Sequence, residues 1–242
     1  MKTMRDSWFM IRRELSGDKV SLVLTFLFSI LFLSYLGFFT GILVNESLGE
    51  QERNPFVDFI LLTILPILGF TYSRRSFKYL SEDSYTKMLI YLQSLPIPAE
   101  VILCKRKIQS LLSYTSNGIV YFGLMYLVYE NLRIEISPLP YIVFALTWIG
   151  YGFIITGIYI FIEFLFSGKM YFGLTLLIMA LSGGIAALVY LAGGNLLVYS
   201  ISYSKDYGFQ SPLMWGTIIA GTVSIQLFST WTINRLKKRN LV

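Results

Sequence analysis

Long uncharged runs dominate the chain and are separated by short polar joints. Charge-free stretches cover residues 20–45, 59–73, 108–129, 136–162, 170–204 and 207–234. A helix needs about 20 apolar residues to cross a bilayer, and all of these runs but the second are longer. The second borrows residues 55–57, with Asp58 near an interface. The pattern predicts an all-α polytopic membrane protein of one transmembrane domain. Six spans are expected, at about 20–43, 56–72, 108–128, 139–166, 170–191 and 212–234.

Finer punctuation adds detail. Gly37-x-x-x-Gly41 permits close helix approach in the first span, and Pro66 is expected to kink the second. The run after Met170 has 35 uncharged residues, too many for one crossing and few for two. Breaks are expected at Gly183-Gly184 and at Gly193-Gly194-Asn195. The reading is one full span followed by an external segment, 192–211. Irregular backbone at membrane depth must be covered by protein or face water, which a short re-entrant hairpin satisfies. At the N-terminus, Met1, Met4, Trp8, Ile11 and Leu15 recur at helical spacing, with Arg5, Arg12 and Arg13 on other faces. Gly17 ends that pattern. Residues 1–19 are therefore expected to form an amphipathic helix in the headgroup plane, with the apolar stripe in acyl chains and the arginines near anionic lipid.

Composition agrees: of 242 residues, 55% are hydrophobic and 14% charged, too few charges to cover a soluble core. The first apolar run is too long for a signal peptide and no A-x-A site follows, so it is expected to be retained. With the N-terminus inside, 17 of the 20 Lys and Arg fall on the inner side. That asymmetry places both termini in the cytoplasm of a multi-pass cell-membrane protein. The net charge of +6 then reflects topology, and no nucleic-acid partner is expected.

Candidate chemistry is sparse. One cysteine, Cys104, rules out an internal disulfide, and the absence of histidine removes the usual zinc sites and Ser–His or Cys–His pairs. Ser167-Gly168-Lys169 lacks the rest of a P-loop. Ser182-Gly183-Gly184, without a histidine, reads as a close-packing or kink site. Glu163 is expected to pair with Lys169. The chain is expected to be no enzyme and to bind no cofactor.

The informative joint is 73–107. Ser81, Asp83 and Ser84 are good helix N-caps. Tyr85, Met88, Leu89, Leu92 and Leu95 then fall at i, i+3, i+4, i+7 and i+10, one face of a helix of about three turns. Pro96 stops it. Pro98 suits the first turn of a second helix, which climbs through Lys105, Arg106 and Lys107 at headgroup level into the third span. A helix, tight turn and helix on the cytoplasmic face make a short rigid element at the base of two spans. It can transmit a push from a partner. A helix merely resting on lipid fits the same periodicity.

Tyr91-Leu92-Gln93-Ser94-Leu95-Pro96-Ile97, then Val101-Ile102 and Lys105, resembles the cytoplasmic loop of type-2 ABC transporter permeases, in which a run like L-x-S-L-P-I precedes a hydrophobic pair and a lysine. The sequence match covers about residues 82–105, while the layout of an interfacial helix, six spans, inner termini and a re-entrant segment covers the chain. The resemblance implies that two permease subunits form the path and that each docks an ATPase subunit, which carries ATP and Mg. It implies export of an amphipathic cargo, and docking through Tyr85, Met88, Leu89, Leu92, Leu95, Pro96, Ile97 and Lys105. An ATP-independent transporter, a membrane immunity or sensor protein, and an intramembrane enzyme are the alternatives.

Overall fold

The computed structural model describes residues 2–16, 19–50, 53–70 and 97–238. Every regular element among them is helical. The order is α1 (Lys2–Leu15), α2 (Lys19–Gly49), α3 (Pro55–Ile64) running into a 3-10 turn (Leu65–Gly69), α4 (Ala99–Val128), α5 (Glu130–Glu135), α6 (Pro138–Leu165), α7 (Gly168–Leu191), α8 (Leu196–Tyr207) with a 3-10 turn (Gly208–Gln210), and α9 (Pro212–Lys238). Five are long and apolar enough to cross a membrane: α2, α4, α6, α7 and α9. The described residues are thus all-helical, with the make-up of a multi-pass membrane protein.

The second expected span differs from the other five. Its described helix, Pro55–Gly69, rises only about 25 Å, against about 30 Å of hydrocarbon. Yet it is the hub. Val57, Leu61, Leu65 and Leu68 are fully buried, and α2, α4, α6, α7 and α8 all pack around it. Its start follows the sequence: the Asn54 side chain accepts from the Phe56 N–H at 2.9 Å, and Pro55 takes the first turn.

Helix packing relies on small residues. A Cβ on Gly41 would overlap the Tyr129 ring, and one on Gly37 would stand 3.1 Å from the Tyr121 carbonyl. The Gly37-x-x-x-Gly41 pair therefore seats α2 on α4. Between α6 and α9, Cβ atoms at Gly150 and Gly157 would each meet the facing helix at 2.6 Å, at Thr217 Oγ1 and Ser224 Oγ. Membrane helices gain little from hydrophobic exclusion in lipid, so close backbone approach supplies the contact.

Two sequence expectations change and one holds. Gly183-Gly184 does not break α7, which continues to Leu191; Gly183 instead lies against Phe59. The second expected break is real. Gly193 has φ 78, its N–H reaches the Tyr190 carbonyl at 2.9 Å and that of Gly194 reaches Val189 at 2.8 Å, a Schellman end. Segment 192–211 is mostly helical rather than irregular, because Asn195 caps α8 by accepting from Val198 N–H at 3.0 Å.

Candidate functional site

The expected docking face, Tyr85, Met88, Leu89, Leu92, Leu95 and Pro96, lies outside the described residues. Its two joints do not: Phe70 precedes the segment and Ile97 follows it. The described residues on either side of 71–96 therefore form a defined frame.

The frame begins with α4. From Ala99 through Val128 it is one uninterrupted helix of 30 residues, so its first turns continue without a break into its apolar length. Ile97 packs against a buried cluster of Ile102, Leu103, Ile160, Phe164 and Leu236. Lys105 lies 2.8 Å from Glu14 of α1. These two predicted docking residues are thus engaged within the chain.

α1 lies against this same stretch. Ser7 Oγ donates to the Val101 carbonyl at 2.8 Å, and Gln109 Nε2 donates to Glu14 at 3.1 Å. Ile11, expected in the lipid-facing stripe, is only 3% exposed. It faces protein because a helix beside α4 must bury one side of itself there. Met4 and Trp8 stay exposed, at 67% and 50%, and Arg12 and Arg13 are exposed too. On the other side of α4, Lys237 reaches Glu100 at 2.9 Å, which brings in the end of α9.

Behind the frame sits an ion pair. Arg106 Nε is 2.9 Å from Glu163 Oε2, with side chains 13% and 10% exposed. Arg106 also donates to Ser110 Oγ at 2.7 Å and covers the Phe70 ring at 5.1 Å. This corrects one expectation: Glu163 pairs with Arg106 rather than with Lys169. The reason is position, since Arg106 faces the α6 end across α4 and a carboxylate among apolar helices needs a cation. The pair ties α4 to α6 beside Phe70, the last residue before segment 71–96.

The broken second helix above it is held by donated hydrogen bonds. Pro66 has no N–H, so the Leu62 carbonyl loses its usual partner. Tyr151 Oη donates there instead, at 3.0 Å. Tyr114 Oη donates to the Pro66 carbonyl at 3.1 Å and meets Thr156 Oγ1 at 2.8 Å. Asn117 Nδ2 serves the carbonyls of Leu68 at 2.8 Å and Phe70 at 3.0 Å. In lipid such carbonyls must find donors inside the protein. Gly69 and Gly152 leave room for the Tyr114 ring, which a Cβ on either would strike within 3.0 Å.

At the opposite end, Asp58 is 1% exposed. Its Oδ2 accepts from Leu196 N–H at 2.8 Å and its Oδ1 from Leu197 N–H at 3.0 Å, the first amides of α8. The expectation of an interface position missed this role, as it missed those of Ser7, Tyr114, Asn117 and Tyr151. One signal was available: each is a polar side chain within or beside an apolar stretch, and needs an internal partner.

Among the described residues, no cluster of His, Cys, Asp and Glu could hold a metal. No protein-family model, curated protein or solved structure matches the chain.

Proposed function

We propose that this chain is the permease subunit of an ATP-driven ABC exporter in the cell membrane. It forms a path for an amphipathic cargo with a second permease subunit, and both termini are cytoplasmic. The observation that carries the reading is the 82–105 sequence, with its amphipathic stripe, its Ser94-Leu95-Pro96-Ile97 stop and Lys105. The geometry around it supports the reading. The joints Phe70 and Ile97 sit beside the Arg106–Glu163 pair and the root of α4, so a load on 71–96 reaches α4 and α6 directly. α1 lies in the interface and steadies that root. In this reading the short second helix, Pro55–Gly69, belongs to the sixth span, and α8 caps the outer mouth. ATP and Mg are held by the partner ATPase, and the chain itself carries no catalytic group.

A second reading, an ATP-independent transporter, draws on the buried charges Asp58, Arg106 and Glu163. Each already has partners: Arg106 and Glu163 take each other, and Asp58 takes two backbone amides. A carrier site needs a charge free to meet an ion, which favours the first reading.

The test is capture of an ABC ATPase from detergent extract by tagged wild-type chain and by the Leu89→Ala/Leu92→Ala variant. Losing a buried interface anchor costs about 2 kcal/mol or more, roughly thirtyfold in affinity. The wild type is expected to retain the ATPase and the variant to lose it. Equal recovery by both, or by neither, removes the docking assignment.

A further inference from the structure

We infer that Asp58 is a positioning residue, the anchor of a hinged strap formed by α8 across the far end of the bundle. The strap's role as an outer gate rests on the permease reading; the anchor and hinges do not.

The strap is a rigid helix between two glycine joints. Gly193 precedes it with φ 78 and Gly208 follows it with φ 49, backbone that L side chains rarely adopt. A Cβ at Gly193 would also stand 3.2 Å from the Arg53 guanidinium, a tight contact from which the arginine tip would have to shift. Between the joints, α8 buries Leu197, Ile201 and Ser204. Trp148 Nε1 of α6 donates to Ser200 Oγ at 3.2 Å. Its outer surface presents Tyr199, Tyr203 and Tyr207, all exposed.

The two ends are held unequally. At the N-terminal end the amides of Leu196, Leu197 and Val198 are all taken, two by Asp58 and one by Asn195. A buried carboxylate facing a helix N-terminus combines charge-assisted bonds with the favourable end of the helix dipole. Water does not compete there, since Asp58 is buried. At the C-terminal end the tie is Lys205 to Glu135 at 2.7 Å, with both side chains more than two-fifths exposed. Exposed pairs of this kind contribute little. The polar ties are therefore stronger at the N-terminal end, while burial of Ile201 and Ser204 holds the last turns by packing, and a strap so held is expected to pivot about its N-terminal end. Asp58 sets that end, and it fixes the strap to the second helix, the hub of the bundle.

Hydrogen exchange measured by mass spectrometry on the full chain in lipid nanodiscs tests this. The variants are Asp58→Asn, which keeps size but replaces one acceptor with a donor, and Lys205→Ala. Asp58→Asn is expected to speed exchange across residues 193–210 by about ten- to hundredfold, the loss of one or two hydrogen bonds to a charged group, while α6 stays as slow as in the wild type. Lys205→Ala is expected to change the first turn of α8 less than twofold. Unchanged exchange in Asp58→Asn overturns the anchor. So does acceleration spread equally over α6, which would make Asp58 a general stability residue. Equal effects of both variants on the first turn overturn the asymmetry. The readout needs neither cargo nor ATPase, so it stands or falls separately from the permease reading.

Discussion

Tyr151 Oη donates to the carbonyl of Leu62 at 3.0 Å, and Leu62 is the residue four before Pro66. The tyrosine of one helix thus replaces the N–H that a proline of another lacks. Polar bonds between membrane helices average about 0.6 kcal/mol and reach about 1.7 kcal/mol. Tyr151→Phe should lower thermal stability in detergent by an amount in that range. In a Pro66→Ala background the restored N–H serves Leu62, and Tyr151→Phe should then cost nearly nothing. A double-mutant cycle on melting temperature checks it, and equal costs in both backgrounds would refute the substitution.

The Arg106–Glu163 pair predicts an asymmetry between single and double replacement. Glu163→Leu alone leaves the Arg106 guanidinium in the bundle without its carboxylate, and should destabilise by about 3–5 kcal/mol. Arg106→Met with Glu163→Leu removes both charges and should recover most of that loss. Urea or detergent-denaturation midpoints report the comparison. A double variant no more stable than the single would mean that the pair's hydrogen bonds to neighbours, not charge balance, matter most.

Gly41 and Tyr129 predict a steric pair. A methyl at 41 overlaps the Tyr129 ring, while Tyr129 Oη donates to the Phe38 carbonyl at 2.6 Å, so the ring has little freedom to retreat. Gly41→Ala should cost about 1–3 kcal/mol, as overpacking does. The same substitution placed on Tyr129→Ala should cost much less, because the obstructing ring is gone. Melting temperatures of the four chains decide it.

α1 predicts that two residues of one apolar stripe behave differently. Ile11→Glu puts charge into the contact with α4 and should expose residues 2–15 and the root of α4 to hydrogen exchange together. Trp8→Glu alters only the exposed side, and should leave exchange at Ala99–Lys105 unchanged while weakening protection of α1 by lipid. Matching profiles would mean that Ile11 and Trp8 face the same medium.

The sequence by itself determined that the chain has the make-up of a multi-pass membrane protein, roughly where its five long helices run, and where the last strongly punctuated break falls. Charge-free length and Gly193-Gly194-Asn195 are local signals, and local backbone chemistry suffices to read them. Periodicity also placed α1, but not which residues of its stripe meet protein. Ile11 and Trp8 look alike along the chain, and only the position of α4 separates them. The same holds for every polar contact at the candidate site. That Glu163 would take Arg106 and not the nearby Lys169 depends on which helix end faces it, 57 residues away. That Asp58 would anchor α8 depends on a bond across 138 residues. A buried polar atom announces a need for a partner, and its sequence neighbours are occupied by their own helix. The partner therefore comes from another helix, and tertiary packing alone decides which one.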